Sequence, residues 1–305
     1  MPLDGLDLQW LILRADPKLL PRLRQLDPSG VYDLEHIYLD GGATEGSASA
    51  PQASANRQGR SALRVGLIDS GVATSHPALR NAAIERFGCE GMAHPAPHGT
   101  AVASLLVGQD GDFKGVLPGA QLFAADVYCD APDGGAVPAL ARALAWMARE
   151  RVPVVNISLV GPPNALLERA VRAAQHAGLL IVAAVGNDGP QAPPLYPASF
   201  SNVIGVTGVD SRRRVLLEAG RGPQVLLSAP GSDMRGASPD GRYVRLRGTS
   251  FAAPWVAGLL TLARAQSPSS SAAFEVLRAQ AIDLGAPGLD PIYGWGLVGE
   301  SLPSR

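Results

Sequence analysis

Val65-Gly66-Leu67-Ile68-Asp69-Ser70-Gly71 decides the fold. Its apolar run has no polar alternation and stops at an aspartate followed by Ser-Gly, which reads as the end of a strand buried on both faces of a parallel sheet. Outward from it, residues 121–127, 154–159, 179–185 and 203–206 form further short apolar runs. Between them lie helical patterns. Val137, Leu140, Leu144 and Met147 share one face, and Leu166, Leu167, Ala170, Val171 and Ala174 share another. This alternation specifies an α/β fold, a mostly parallel central sheet with helices on both faces. Such sheets carry their sites along the rim where strands end, and Asp69 stands on that rim.

Two other stretches reach the same rim. His98-Gly99-Thr100-Ala101-Val102-Ala103 opens an apolar helix continued by Leu105 and Leu106, and Gly248-Thr249-Ser250-Phe251-Ala252-Ala253-Pro254 opens another. Taken singly, Asp69 reads as an ordinary strand-end residue, while His98 and Ser250 read as helix caps. Together they hold the parts of an acyl-transfer site. A serine hydroxyl becomes a nucleophile when an imidazole takes its proton, and a buried carboxylate fixes that imidazole's tautomer and stabilises its charged form. The chain order Asp, His, Ser separates this arrangement from those of the α/β hydrolases and the chymotrypsin-like barrels.

On these residues the chain resembles the subtilisin-like serine peptidases, the subtilases. The likeness continues in Ser75-His76-Pro77, Val155-Asn156-Ile157-Ser158-Leu159, Val185-Gly186-Asn187-Asp188-Gly189, Tyr196-Pro197, Ser228-Ala229-Pro230-Gly231 and Tyr293-Gly294-Trp295-Gly296. It implies a serine endopeptidase acting on polypeptide substrates, with Asp69, His98 and Ser250 catalytic. It also implies that the Asn187 side chain donates to the developing oxyanion. The family pairs substrate with the strand matching Ser158 and Leu159, here followed by Val160 where relatives often have glycine. Ala184 and Gly186 fall on the other wall of the pocket for the residue before the cut. Leu195 falls at its floor, again where glycine is common. A leucine there shortens the pocket, which favours small or medium apolar residues. A non-catalytic interaction module of the same fold is the alternative, although such modules usually lack a member of the triad.

Three sections are expected. Residues 1–40 read as a β-α-β piece, with a strand through Leu8, Trp10 and Ile12, a helix over 17–26 that Pro21 delays or kinks, and a strand over 31–39. The resemblance implies that it is a partial prodomain, so the enzyme's own N-terminal segment is an expected partner. Residues 41–61 have the composition of a flexible linker. Residues 62–305 form the catalytic domain.

The balance of 26 basic against 27 acidic residues leaves no nucleic-acid footprint. No apolar run is long enough to span a membrane, and the first residues, with Asp4 and Asp7, are not a signal peptide. The family nonetheless implies an extracellular or periplasmic monomer. In an exported enzyme Cys89 and Cys129 would form a disulfide tethering the His98 loop. A zinc cluster of Cys89, His94, His98 and Cys129 is the competing reading of those residues, but it would consume the catalytic imidazole, so no metal site is expected. No cofactor is required. Calcium is the one ligand in view, at Asp110 and Asp112 in the 108–115 loop.

Overall fold

Apolar strands that hide both faces need cover above and below, and that requirement shapes the centre of the molecule. The computed structural model describes residues 2–13, 16, 18–48, 62–131 and 134–300. Seven strands form the central sheet: β5 (Arg64–Asp69), β6 (Ala83–Phe87), β9 (Gln121–Asp126), β11 (Val154–Ile157), β13 (Leu180–Ala184), β14 (Ile204–Val209) and β15 (Val225–Pro230). Their order is β15-β14-β13-β11-β5-β9-β6. Every neighbouring pair is parallel.

Within the continuous apolar runs a period of two persists and sorts the core into two layers. Val65, Leu67, Leu122, Val182 and Ala184 face α2 (Pro97–Val107), α5 (Thr249–Gln266) and α6 (Ser270–Ala279). Ile68, Phe123, Val155, Ile157 and Ile181 face α3 (Val137–Arg149) and α4 (Ala165–His176). The faces predicted for α3 and α4 are the ones buried, apart from the half-exposed Leu166. Helix α4 starts where Asn164 Oδ1 accepts from the Leu166 and Leu167 amides, satisfying two of the donors that a helix start leaves open.

Short elements complete the body. A hairpin joins β7 (Gln109–Asp110) to β8 (Phe113–Lys114), and β16 (Met234–Ala237) pairs with β17 (Tyr243–Arg247). Two two-residue strands, β10 (Gly135–Ala136) and β12 (Leu159–Val160), stand at the sheet's rim.

The N-terminal section follows the expected order of elements but not their expected pairing. Its first strand is only β2 (Leu8–Gln9), folded back on β1 (Pro2–Leu3), while Leu11, Ile12 and Leu13 stay exposed. Helix α1 (Leu19–Leu26) starts late, with Pro21 in its first turn, where a missing N–H costs little. The second strand, β3 (Ile37–Asp40), does not return to β2. It lies between β10 and β12, antiparallel to both. The reason is the supply of partners: one strand edge from β2, against two from the body.

The linker expected over 41–61 is also different in its first part. Residues 43–48 form β4 (Ala43–Ala48), antiparallel to β17. Small and polar residues pair when an edge is offered, because the ladder is made by the backbone. The rest of that expectation, 49–61, lies outside the described residues.

Candidate active site

The end of β5 and the starts of α2 and α5 meet on one rim, bringing the predicted residues together. Asp69 is wholly buried, and its Oδ1 accepts from the Ser70 amide at 2.7 Å and from the Ser70 hydroxyl at 3.2 Å. The same oxygen lies 2.8 Å from His98 Nδ1. Ser70 Oγ in turn accepts from the Gly99 amide at 3.0 Å, which fastens the start of α2 to the end of β5. A side chain at position 99 would run into the Ser70 carbonyl, so this approach needs glycine.

Burial opposes charge on the His98 ring. The adjacent Asp69 carboxylate, its hydrogen bond and the charge of Asp40 outweigh that effect and hold the imidazole above its ordinary value. His98 Nε2 is buried with no hydrogen-bond partner, and the ring lies 5.3 Å from that of Phe251.

Ser250 sits in the first turn of α5, behind Gly248 at φ 141°, a backbone conformation that side chains rarely adopt. Its hydroxyl donates to the Ser158 carbonyl at 3.2 Å, while Ser158 Oγ donates to the Ser250 carbonyl at 2.9 Å and accepts from Asn156 Nδ2. Asn187 Oδ1 accepts from the Thr249 amide at 3.0 Å, and Thr249 Oγ1 accepts from the Gly186 amide. That bond fixes the Asn187 amide. Its Nδ2 is left buried without a hydrogen-bond partner among the described residues.

Of the predicted wall residues, Val160 and Leu195 line a cleft of about 680 Å³ together with Asn187, Gly41 and Gly42, whereas Ser158, Leu159, Ala184 and Gly186 are not part of its lining. Leu159 and Val160 form β12, Ser158 precedes them, and Ala184 ends β13. A Cβ on Gly186 would meet Leu195 Cδ1 at 2.5 Å, so the leucine lies directly over that wall.

Cys89 and Cys129 are joined in a disulfide, and His94 is paired with Asp130, so neither cysteine serves a zinc ion. Among the described residues, the one group with metal-ligand spacing is Cys89, Asp126 and Cys129, whose sulfurs are the bonded pair. Asp110 accepts from the Tyr243 hydroxyl and Asp112 from Arg235.

The N-terminal segment was an expected partner, but sequence reasoning did not single out which of its residues stand at the cleft: Ile37, Leu39, Asp40, Gly41, Gly42 and Ala43 line it. The run Tyr38-Leu39-Asp40-Gly41-Gly42, just ahead of a Ser- and Ala-rich stretch, carries no mark that separates it from the rest of the segment.

The Subtilase family model matches residues 60–296. The chain is 36% identical over 242 residues to the thermostable alkaline protease of Halalkalibacterium halodurans, covering 77% of this chain and 65% of that protein. It is 34% identical over 254 residues to subtilisin BL of Lederbergia lenta, covering 80% and 91% respectively. Among solved structures, the prenylagaramide maturation protease PagA aligns with a TM-score of 0.69 at 27% identity, over 78% of this chain and 90% of that one. The matched region contains β5, α2 and α5, the three elements that meet at the rim. The chain belongs to the subtilase family and is a subtilisin-like serine endopeptidase.

Proposed function

We propose that Asp69, His98 and Ser250 carry out peptide hydrolysis through an acyl-enzyme. Ser250 Oγ attacks the scissile carbonyl, and His98 Nε2 takes the hydroxyl proton and passes it to the leaving amine. Asp69 orients the ring through Nδ1 and stabilises its cation. Asn187 Nδ2 and the Ser250 amide hold the oxyanion. Water then repeats the sequence on the ester. The observation that carries this reading is the wholly buried 2.8 Å contact between Asp69 and His98 beside an unpaired Asn187 donor. The chemistry uses protein groups alone.

Substrates bind as an added strand on Leu159 and Val160. The position before the cut takes small or medium apolar residues, because Leu195 covers the Gly186 wall. Residues 1–40 act as a prodomain-like segment that fills this groove until it is displaced, and β3 already lies in that place. The enzyme works as a monomer, since every group in the reaction comes from one chain, and it works outside the cytoplasm. The disulfide suits an oxidising compartment, and no helix among the described residues is long and apolar enough to cross a membrane.

A fluorophosphonate tests the assignment. Wild-type chain is labelled and Ser250→Ala is not; equal labelling of the two removes Ser250 as the nucleophile.

A further inference from the structure

The Cys89–Cys129 bridge stands behind the rim that carries Asp69 and His98. Asp126 ends β9 beside Asp69, its register partner on β5, and the Val127 amide donates to the Asp69 carbonyl at 3.0 Å. A Cβ on Gly71 would run into the His94 carbonyl and stand 2.7 Å from Asp126 Oδ2. The Ala96 amide also donates to the Gly71 carbonyl, at 2.9 Å. The turns after β5 and β9 and the lead-in to α2 are therefore packed as one block.

The outer edge of that block carries a set of metal-ligating groups. Asp126 Oδ1 accepts from the Tyr128 and Cys129 amides, each at 3.0 Å, which fixes the carboxylate against the second cysteine. Its Oδ2 is buried with no hydrogen-bond partner among the described residues. One carboxylate oxygen and the two sulfurs lie within 4.8 Å of one another. In the bonded form the sulfurs carry no charge and hold no metal; once reduced they become two thiolate donors. A tetrahedral zinc ion with Zn–S distances of about 2.3 Å sets its sulfurs roughly 3.8 Å apart, a spacing within the reach of these three groups. Cys129 is exposed and Cys89 half-buried, so both reductant and metal can reach the pair.

We propose that Cys89, Cys129 and Asp126 form a zinc site in the reduced chain, so that a metal ion fastens the turns after β6 and β9 wherever the disulfide does not. A dithiol supplies the two electrons that open the bridge. It closes into its own disulfide, and its two protons pass to Cys89 and Cys129. Zinc then displaces both protons and takes the Asp126 carboxylate as its third ligand, with water at the fourth corner. Thiolate ligands select zinc against calcium and magnesium, which take oxygen. In a reducing compartment, where a disulfide does not persist, the ion keeps the block closed behind Asp69; oxidation of the pair releases it.

The test uses the full chain carrying Ser250→Ala, which keeps the sample from digesting itself. It is reduced with dithiothreitol, desalted under argon and titrated with zinc chloride. Bound metal is read by competition with a chromogenic chelator, and Tm by differential scanning calorimetry. The reduced chain takes up one zinc, and the ion restores about half or more of the Tm lost on reduction, because a ligand held only by the folded form stabilises it. Calcium and magnesium restore nothing, and the oxidised chain takes no zinc at the same concentration. Asp126→Asn keeps an amide oxygen that can accept from Tyr128 and Cys129, so the oxidised variant melts as its parent does. Reduced, it binds zinc about tenfold more weakly or worse, at least the loss seen when a carboxylate supporting a metal site is removed. The pair Cys89→Ser and Cys129→Ser binds none. A reduced chain that takes no zinc, or takes it with no gain in Tm, overturns the inference, as does equal binding by Asp126→Asn, by the serine pair or by the oxidised chain. If the metal-free reduced chain loses its fold, circular dichroism takes the place of Tm: zinc restores the folded spectrum in the parent at a concentration that fails with Asp126→Asn, and equal recovery, or none, overturns the inference. Neither readout uses peptidase activity, so this site and the peptidase reading fail separately.

Discussion

Asn187 has one end of its amide committed to the Thr249 backbone and the other free. Asn187→Ala removes the free donor without disturbing Asp69 or His98. We expect kcat to fall about 10²–10³-fold with KM little changed, the loss typical of one oxyanion donor; steady-state kinetics on a peptide substrate check it. His98 gives a second prediction, in pH. In the proposed mechanism its ring must be neutral to accept the serine proton, and Asp69 and Asp40 together hold its pKa above the ordinary imidazole value. The acid limb of kcat/KM therefore lies above that value, because a raised pKa keeps the ring protonated to higher pH. Asp40→Asn removes one of the two charges and moves the limb toward lower pH. A pH profile of both proteins reads the difference.

Helix α4 is where an element's stability and the N-terminal segment meet. Asn164 caps it through Oδ1, while its Nδ2 donates to the Leu34 carbonyl and contacts His36 Nδ1 at 2.9 Å. Asp33 accepts from the next amide, that of Ala165. Asn164→Ala should cost about 1–2 kcal/mol, measured as a lower urea midpoint with unchanged slope. Elements of this kind were legible to different degrees. The strand ending at Asp69 could be read because Val65, Leu67 and Ile68 form an unbroken apolar run, and the starts of α2 and α5 because apolar helices follow His98 and Ser250. The paths of β3 and β4 could not be read. Tyr38-Leu39-Asp40 pairs with any free edge, and only the assembled body fixes that the edges belong to Gly135, Leu159 and Val160. Leu195 was placed at the cleft by the Tyr196-Pro197 pair that follows it, whereas Phe251, adjacent to Ser250, gave no hint that its ring packs against Gly42.

At the scale of the whole molecule, the Cys89–Cys129 bridge closes a loop of 40 residues and ties the turn after β6 to the one after β9. Chain entropy alone assigns about 3–4 kcal/mol to a closure of this size. Reduction, or the paired change of both cysteines to serine, should lower Tm by several degrees in differential scanning calorimetry while leaving the central sheet's circular dichroism in place. The disulfide spans the loops beside the cleft and leaves the two core layers untouched, so the loss falls first on the region around His94 and Tyr128.

Strand β3 is fastened between β10 and β12, and β4 is fastened to β17. The hairpin ahead of them also buries Leu3, Leu6 and Trp10 in the core layer that holds Trp146. Severing the chain between β3 and β4 would therefore not by itself release the segment that carries β3: a molecule nicked there sediments as one particle and runs as two bands once denatured, until β3 is displaced from its two neighbours.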